Sequence, residues 1–79
     1  MNNLEQIAKM ANEKLGQNYF FVEDGKRVMN GINRVEGNDI DVTEEDGTFL
    51  YRITGHSETL STVEECVDFL VEMAEGWKE

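Results

Sequence analysis

Leu60-Ser61-Thr62-Val63-Glu64-Glu65-Cys66-Val67-Asp68-Phe69-Leu70-Val71-Glu72-Met73-Ala74-Glu75-Gly76-Trp77 carries the clearest periodic signal in the chain. Ser61 to Glu64 has the spacing of a capping box, in which a serine hydroxyl and a carboxylate three residues later satisfy each other's unpaired backbone donors. Val63, Cys66, Val67, Leu70, Ala74 and Trp77 then recur at three- and four-residue steps and share one helix face. Glu64, Asp68, Glu72 and Glu75 share roughly the opposite one. A closing helix with one apolar stripe needs a sheet or another helix to cover it, and that requirement organises the rest of the chain.

Working outward, Leu4, Ile7, Ala8, Ala11 and Leu15 mark a second amphipathic helix. It starts near Asn2 or Asn3, with Glu5 or Gln6 three residues on, and stops at Gly16. Between the helices lie two hairpin signals, Asp24-Gly25 and Asp46-Gly47, the dipeptide that type I′ turns favour because both central residues need positive φ. A two-residue loop at Asp24-Gly25 sets Phe21 opposite Val28 and Tyr19 opposite Asn30, with Phe20 opposite Met29 and Val22 opposite Arg27 on the other face. The second strand runs from Lys26 to Val35, with Gly31 as a bulge inside it.

Glu36-Gly37-Asn38-Asp39 reads as a turn. The loop at Asp46-Gly47 sets Ile40 opposite Ile53, Val42 opposite Tyr51 and Asp41 opposite Arg52. Gly55 to Thr59 is expected to be a polar connection. The fold class is therefore α+β: one domain over residues 1–79, α-β-β-β-β-α, an antiparallel meander with both helices on one face. Tyr19, Phe21, Val28, Ile32, Ile40, Val42, Phe49, Tyr51 and Ile53 would face the helices. Phe20, Val22, Met29 and Leu50 would form an apolar association face on the other side, and with it a homodimer.

Size and charge bound the function. The chain has 79 residues, no proline, one cysteine and a formal net charge of −10. A domain this small buries about 60% of its unfolded surface and has little room for a deep cleft. No stretch reads as a signal peptide or membrane span, and a single cysteine forms no internal disulfide, so the expected address is the cytoplasm. Residues 1–35 carry five bases against four acids, net +1, while residues 36–79 carry two against thirteen, net −11. A phosphate binder needs a concentrated basic surface, so neither nucleic acid nor a membrane is expected as a direct partner. A basic protein, such as one that binds nucleic acid, fits better.

No motif carries catalysis, and no cofactor or metal site is expected. Asp39-Ile40-Asp41-Val42-Thr43 has the D-x-D-x-T pattern and resembles the nucleophile loop of haloacid-dehalogenase-type phosphatases. That family sets the motif at the end of a buried parallel strand in a longer chain, whereas here a polar turn precedes it and a hairpin follows. The same stretch resembles the start of a calcium loop, but Glu44 stands where such a loop requires glycine. His56, beside Ser57 and Glu58, has the residue types of a proton relay; adjacent loop residues point apart, so an ordinary loop histidine is expected. Cys66 falls on the apolar face among acids and reads as a core thiol.

What remains is the acidity. Glu36, Asp39, Asp41, Glu44, Glu45 and Asp46 fall within eleven residues that contain no base. The stripe of Glu64, Asp68, Glu72 and Glu75 has no lysine four residues on to neutralise it. These ten residues form the candidate partner-binding surface, against the plainer alternative that the charge serves solubility. In general character the chain resembles phage-encoded anti-CRISPR and anti-restriction inhibitors: small, strongly acidic and without catalytic residues. The likeness implies an inhibitor whose carboxylates mimic nucleic-acid phosphates.

Overall fold

A computed structural model describes residues 2–31, 40–53 and 55–76. Helix α1 spans Asn3–Leu15, strands β1 Phe20–Glu23, β2 Arg27–Asn30, β3 Asp41–Glu45, β4 Thr48–Ile53 and β5 His56–Leu60 follow, and helix α2 spans Val63–Glu75. The strands form one antiparallel sheet in sequential order, β1-β2-β3-β4-β5.

Local chemistry sets both helix starts. The Asn2 side chain accepts from the Glu5 N–H at 2.8 Å, and Gly16 closes α1 in the left-handed conformation at φ 71°. Helix α2 is capped by Thr62, whose Oγ1 accepts from the Glu65 N–H at 3.1 Å, so the cap lies one residue later than Ser61. Thr62 to Glu65 has the same box spacing, which is why sequence spacing did not separate the two.

The β3–β4 hairpin forms in the expected register. Asp46 and Gly47 have φ of 52° and 82°, and Val42 pairs with Tyr51 and Asp41 with Arg52. The first hairpin departs by one residue. Asp24 and Gly25 also have positive φ, and the Lys26 N–H donates to the Glu23 carbonyl at 2.9 Å. The ladder nevertheless pairs Glu23 with Arg27, Val22 with Val28, Phe21 with Met29 and Phe20 with Asn30. Lys26 is thus an extra residue in the turn, and a one-residue slip turns a whole strand over.

Phe20 is therefore core at 3% exposure, and Val22 packs against the core, where the opposite face was expected for both. Phe21 is the residue on the outer face, 39% exposed beside the half-buried Met29. Strand β2 ends at Asn30, and the Gly31 N–H donates to the Tyr19 carbonyl at 2.6 Å. The expected continuation to Val35, the bulge it implied, the turn at Glu36 to Asp39, and the placements of Ile32 and Trp77 lie outside the described residues.

Of the stretch Gly55 to Thr59, expected as a polar connection, all but Gly55 belongs to strand β5, paired with β4 from Ile53↔His56 to Phe49↔Leu60. Its side chains are exposed but for the half-buried Leu60, so no apolar alternation announced it; the backbone ladder of β4 recruits it. The fifth strand also sets the direction of α2. An odd number of antiparallel strands brings α2 to start at the sheet end where α1 starts, and the two helices run parallel. The Asn3 Nδ2 reaches Glu44 Oε2 at 2.9 Å beside the β3–β4 turn, and Leu60 leads into α2 from the same end.

Both helices cover one face. Leu4, Ile7, Ala8, Ala11 and Leu15 of α1 and Cys66, Val67, Leu70 and Ala74 of α2 join Phe20, Val28, Val42, Phe49 and Tyr51 in the core. The Phe69 ring meets Tyr51 edge-on at 4.7 Å between centroids, tying α2 to β4. Two side-chain brackets secure the α1 side. Asn12 donates to the Phe20 carbonyl and accepts from the Phe20 N–H, each at 2.9 Å, and buried Asn30 accepts from the Ile40 N–H at 3.1 Å.

Candidate protein-docking surface

The parallel helices gather charge from four separate segments at one end of the sheet. Glu44, Glu45 and Asp46 stand at the β3–β4 turn, Glu64 and Glu65 in the first turn of α2, Glu5 in the first turn of α1, and Asp24 in the β1–β2 turn. First-turn carboxylates are favourable beside the positive pole of a helix, so Glu5, Glu64 and Glu65 stabilise the ends they occupy. The turn carboxylates have no such local role. Among the described residues, Glu44, Glu45, Asp46, Glu64 and Glu65 form no ion pair. The Cys66 thiol registers the field: its pKa is pushed up to about 12, first by burial and then by Glu65 and Glu44. A thiol so placed stays protonated and unreactive.

The other expected docking residues divide. Asp41 lies on the outer sheet face, where Oδ2 is 3.0 Å from Arg52 and 3.7 Å from Arg27, and Arg27 in turn is 3.2 Å from Glu23. This ladder of alternating charge crosses β1 to β4, so Asp41 is neutralised within the fold. Its Oδ1 is buried without a hydrogen-bond partner among the described residues. Asp68 is 3.4 Å from Lys14 of α1, both side chains exposed. Glu72 and Glu75 are exposed on the later turns of α2, away from the acidic end. Glu36 and Asp39 lie outside the described residues.

Of the expected residues, Glu44 is thus brought to α2, where Glu65 joins it; Asp46 and Glu64 stand at the same end of the sheet, and Glu45 faces its outer side as Asp41 does. Glu65 falls beside the stripe of three- and four-residue steps, and only the cap at Thr62, which puts it in the first helical turn, would have drawn attention to it. The apolar association face is reduced to Met29 and Leu50 with the addition of Phe21, and the ion-pair ladder runs across it. His56 Nε2 lies 3.2 Å from Glu58 Oε1, while strand alternation sends Ser57 to the opposite face, so the three do not form a relay.

Among the described residues no three histidine, cysteine or acidic side chains are grouped as a metal site, and no helix is long and apolar enough to cross a membrane. Comparison with protein-family models, curated proteins and solved structures gives no match.

Proposed function

We propose that the chain is a non-catalytic binding module whose acidic end occupies a basic, nucleic-acid-binding surface of another protein, as an inhibitor of the anti-CRISPR or anti-restriction kind would. The observation that carries this reading is the approach of the β3–β4 turn to the first turn of α2, where Glu44 and Glu65 both bear on the Cys66 thiol, with no ion pair to Glu44, Glu45, Asp46, Glu64 or Glu65 among the described residues. Solubility requires acidic residues but not their convergence, and like charges brought together are tolerated at a cost to stability. Carboxylates held on a turn and a helix end present spaced negative charge to arginine and lysine side chains that otherwise hold phosphates.

The test is capture of partners from a lysate at low and then high salt, with a charge-altered control. Glu44→Lys, Glu45→Lys and Glu65→Lys reverse the charge, and Asp46→Asn removes one while keeping a side chain that tolerates the positive φ of the turn. Partners held by the native chain should be lost with salt, displaced by DNA or RNA, and absent from the variant. A variant that retains every captured partner would refute the docking reading and return the acidity to solubility.

A further inference from the structure

The sheet has two edges, and they are treated differently. At β1 the outward backbone groups of Phe20 are held by Asn12, and α1 packs along that side. At β5 nothing among the described residues covers the edge: His56, Ser57, Glu58 and Thr59 are all exposed. Of the devices that keep an edge from pairing, the strand carries no lysine, proline or bulge, and its one acid, Glu58, lies 3.2 Å from His56.

Its sequence is also self-complementary. In the β3–β4 hairpin Glu45 and Thr48 flank the two-residue turn as a hydrogen-bonded pair, so by alternation Tyr51 directs its backbone groups to Glu58 of β5, and Ser57 and Thr59 present their N–H and C=O to the open side. An antiparallel copy centred on Ser57 sets Ser57 against its counterpart in a hydrogen-bonded pair. His56 of each copy then faces Glu58 of the other in the closer, non-hydrogen-bonded pairs. Within one chain the same two side chains already lie on one face, 3.2 Å apart. Centring on Glu58 would oppose two carboxylates, and centring on Thr59 would set Glu58 against Leu60.

Two further features agree. A two-fold axis normal to the sheet leaves both helix layers on one side, with the two α2 helices adjacent. The flank of α2 towards β5 carries Phe69 and Met73, both half-buried, opposite the flank where Asp68 reaches Lys14. Antiparallel pairing also sends the two acidic ends to opposite ends of the assembly, where their repulsion is least.

From these observations we infer that the chain forms a symmetric dimer through β5, joining two five-stranded sheets into one, with a second copy of itself as the partner. Sedimentation equilibrium of the full chain up to about 1 mM, near the weakest affinity of interest, reads the association directly. Native protein dimerises. Ser57→Lys, which sets lysine against lysine on the axis, is monomeric. His56→Glu creates two like-charge pairs per dimer and raises the dimer Kd roughly three- to thirtyfold, and the swap His56→Glu/Glu58→His restores it.

Far-UV circular dichroism and thermal melts confirm that each variant is folded. A native chain that stays monomeric throughout overturns the inference. So does a dimer that persists in Ser57→Lys, or one that is abolished by Phe21→Ser on the outer sheet face.

Discussion

Asn12 offers the sharpest test of how the sheet is held to α1. Its side-chain amide mimics a neighbouring strand, donating to the Phe20 carbonyl and accepting from the Phe20 N–H at 2.9 Å each, in a part-buried setting. Asn12→Ala removes both partners at once. A backbone group left unsatisfied costs about 1–3 kcal/mol when buried, and at this partly wetted edge the lower figure applies to each, about 2 kcal/mol in all. Alanine is the better helix former by about 0.6 kcal/mol, which offsets part of the loss.

The net expectation is a destabilisation of about 1–2 kcal/mol. With a urea dependence of about 1 kcal/mol per molar for so small a domain, the midpoint falls by about 1–2 M. Asn3→Ala is the matched control, because its hydrogen bond to Glu44 is exposed and its loss should stay within about 0.5 kcal/mol. Equal midpoints for Asn12→Ala and the native chain would refute the reasoning: the bracket would then contribute no more than helix propensity.

Other perturbations test the core and the turns. Leu70→Ala, at a fully buried position on α2, should cost about 2–5 kcal/mol in denaturant melts, and a loss under about 1 kcal/mol would contradict the packing. Tyr51→Phe should be neutral or gain up to about 1 kcal/mol, since the buried hydroxyl has no partner among the described residues; a loss above about 1 kcal/mol would reveal one. Cys66 is neutral in the folded chain with a pKa pushed up to about 12 from 9.0, so the unfolded state loses its proton first as pH rises. Stability should therefore fall between these two values, and Cys66→Ala should remove that component of the pH dependence; an unchanged slope in the variant would argue against it. Gly47→Ala, at φ 82°, should cost about 1–2 kcal/mol by thermal melt, whereas no loss would mean that the turn relaxes to another type.

The sequence by itself determined those features whose causes lie within a few residues. Both helix stripes and the Asn2 and Gly16 caps follow from side-chain spacing and local backbone chemistry. So does the Asp46-Gly47 hairpin with its Asp41–Arg52 pair, because a two-residue I′ turn admits one register. The α+β meander follows in turn from two apolar stripes that need a sheet between or beneath them.

Three things were decided only in three dimensions. Lys26 joins the first turn, although Asp24-Gly25 alone implies a tighter loop, because the slip sets Phe20 and Val22 on the face of Val28, where Phe20 is buried and Val22 packs against the core. Strand β5 has no hydrophobic pattern to read, since it lies at an edge and its order comes from hydrogen bonds to β4. The convergence of the carboxylates depends on that strand: with five strands instead of four, α2 starts beside the β3–β4 turn, and charges separated along the chain become neighbours. Charge count is a property of composition, but charge geometry is a property of chain direction, and here one unpatterned edge strand sets it.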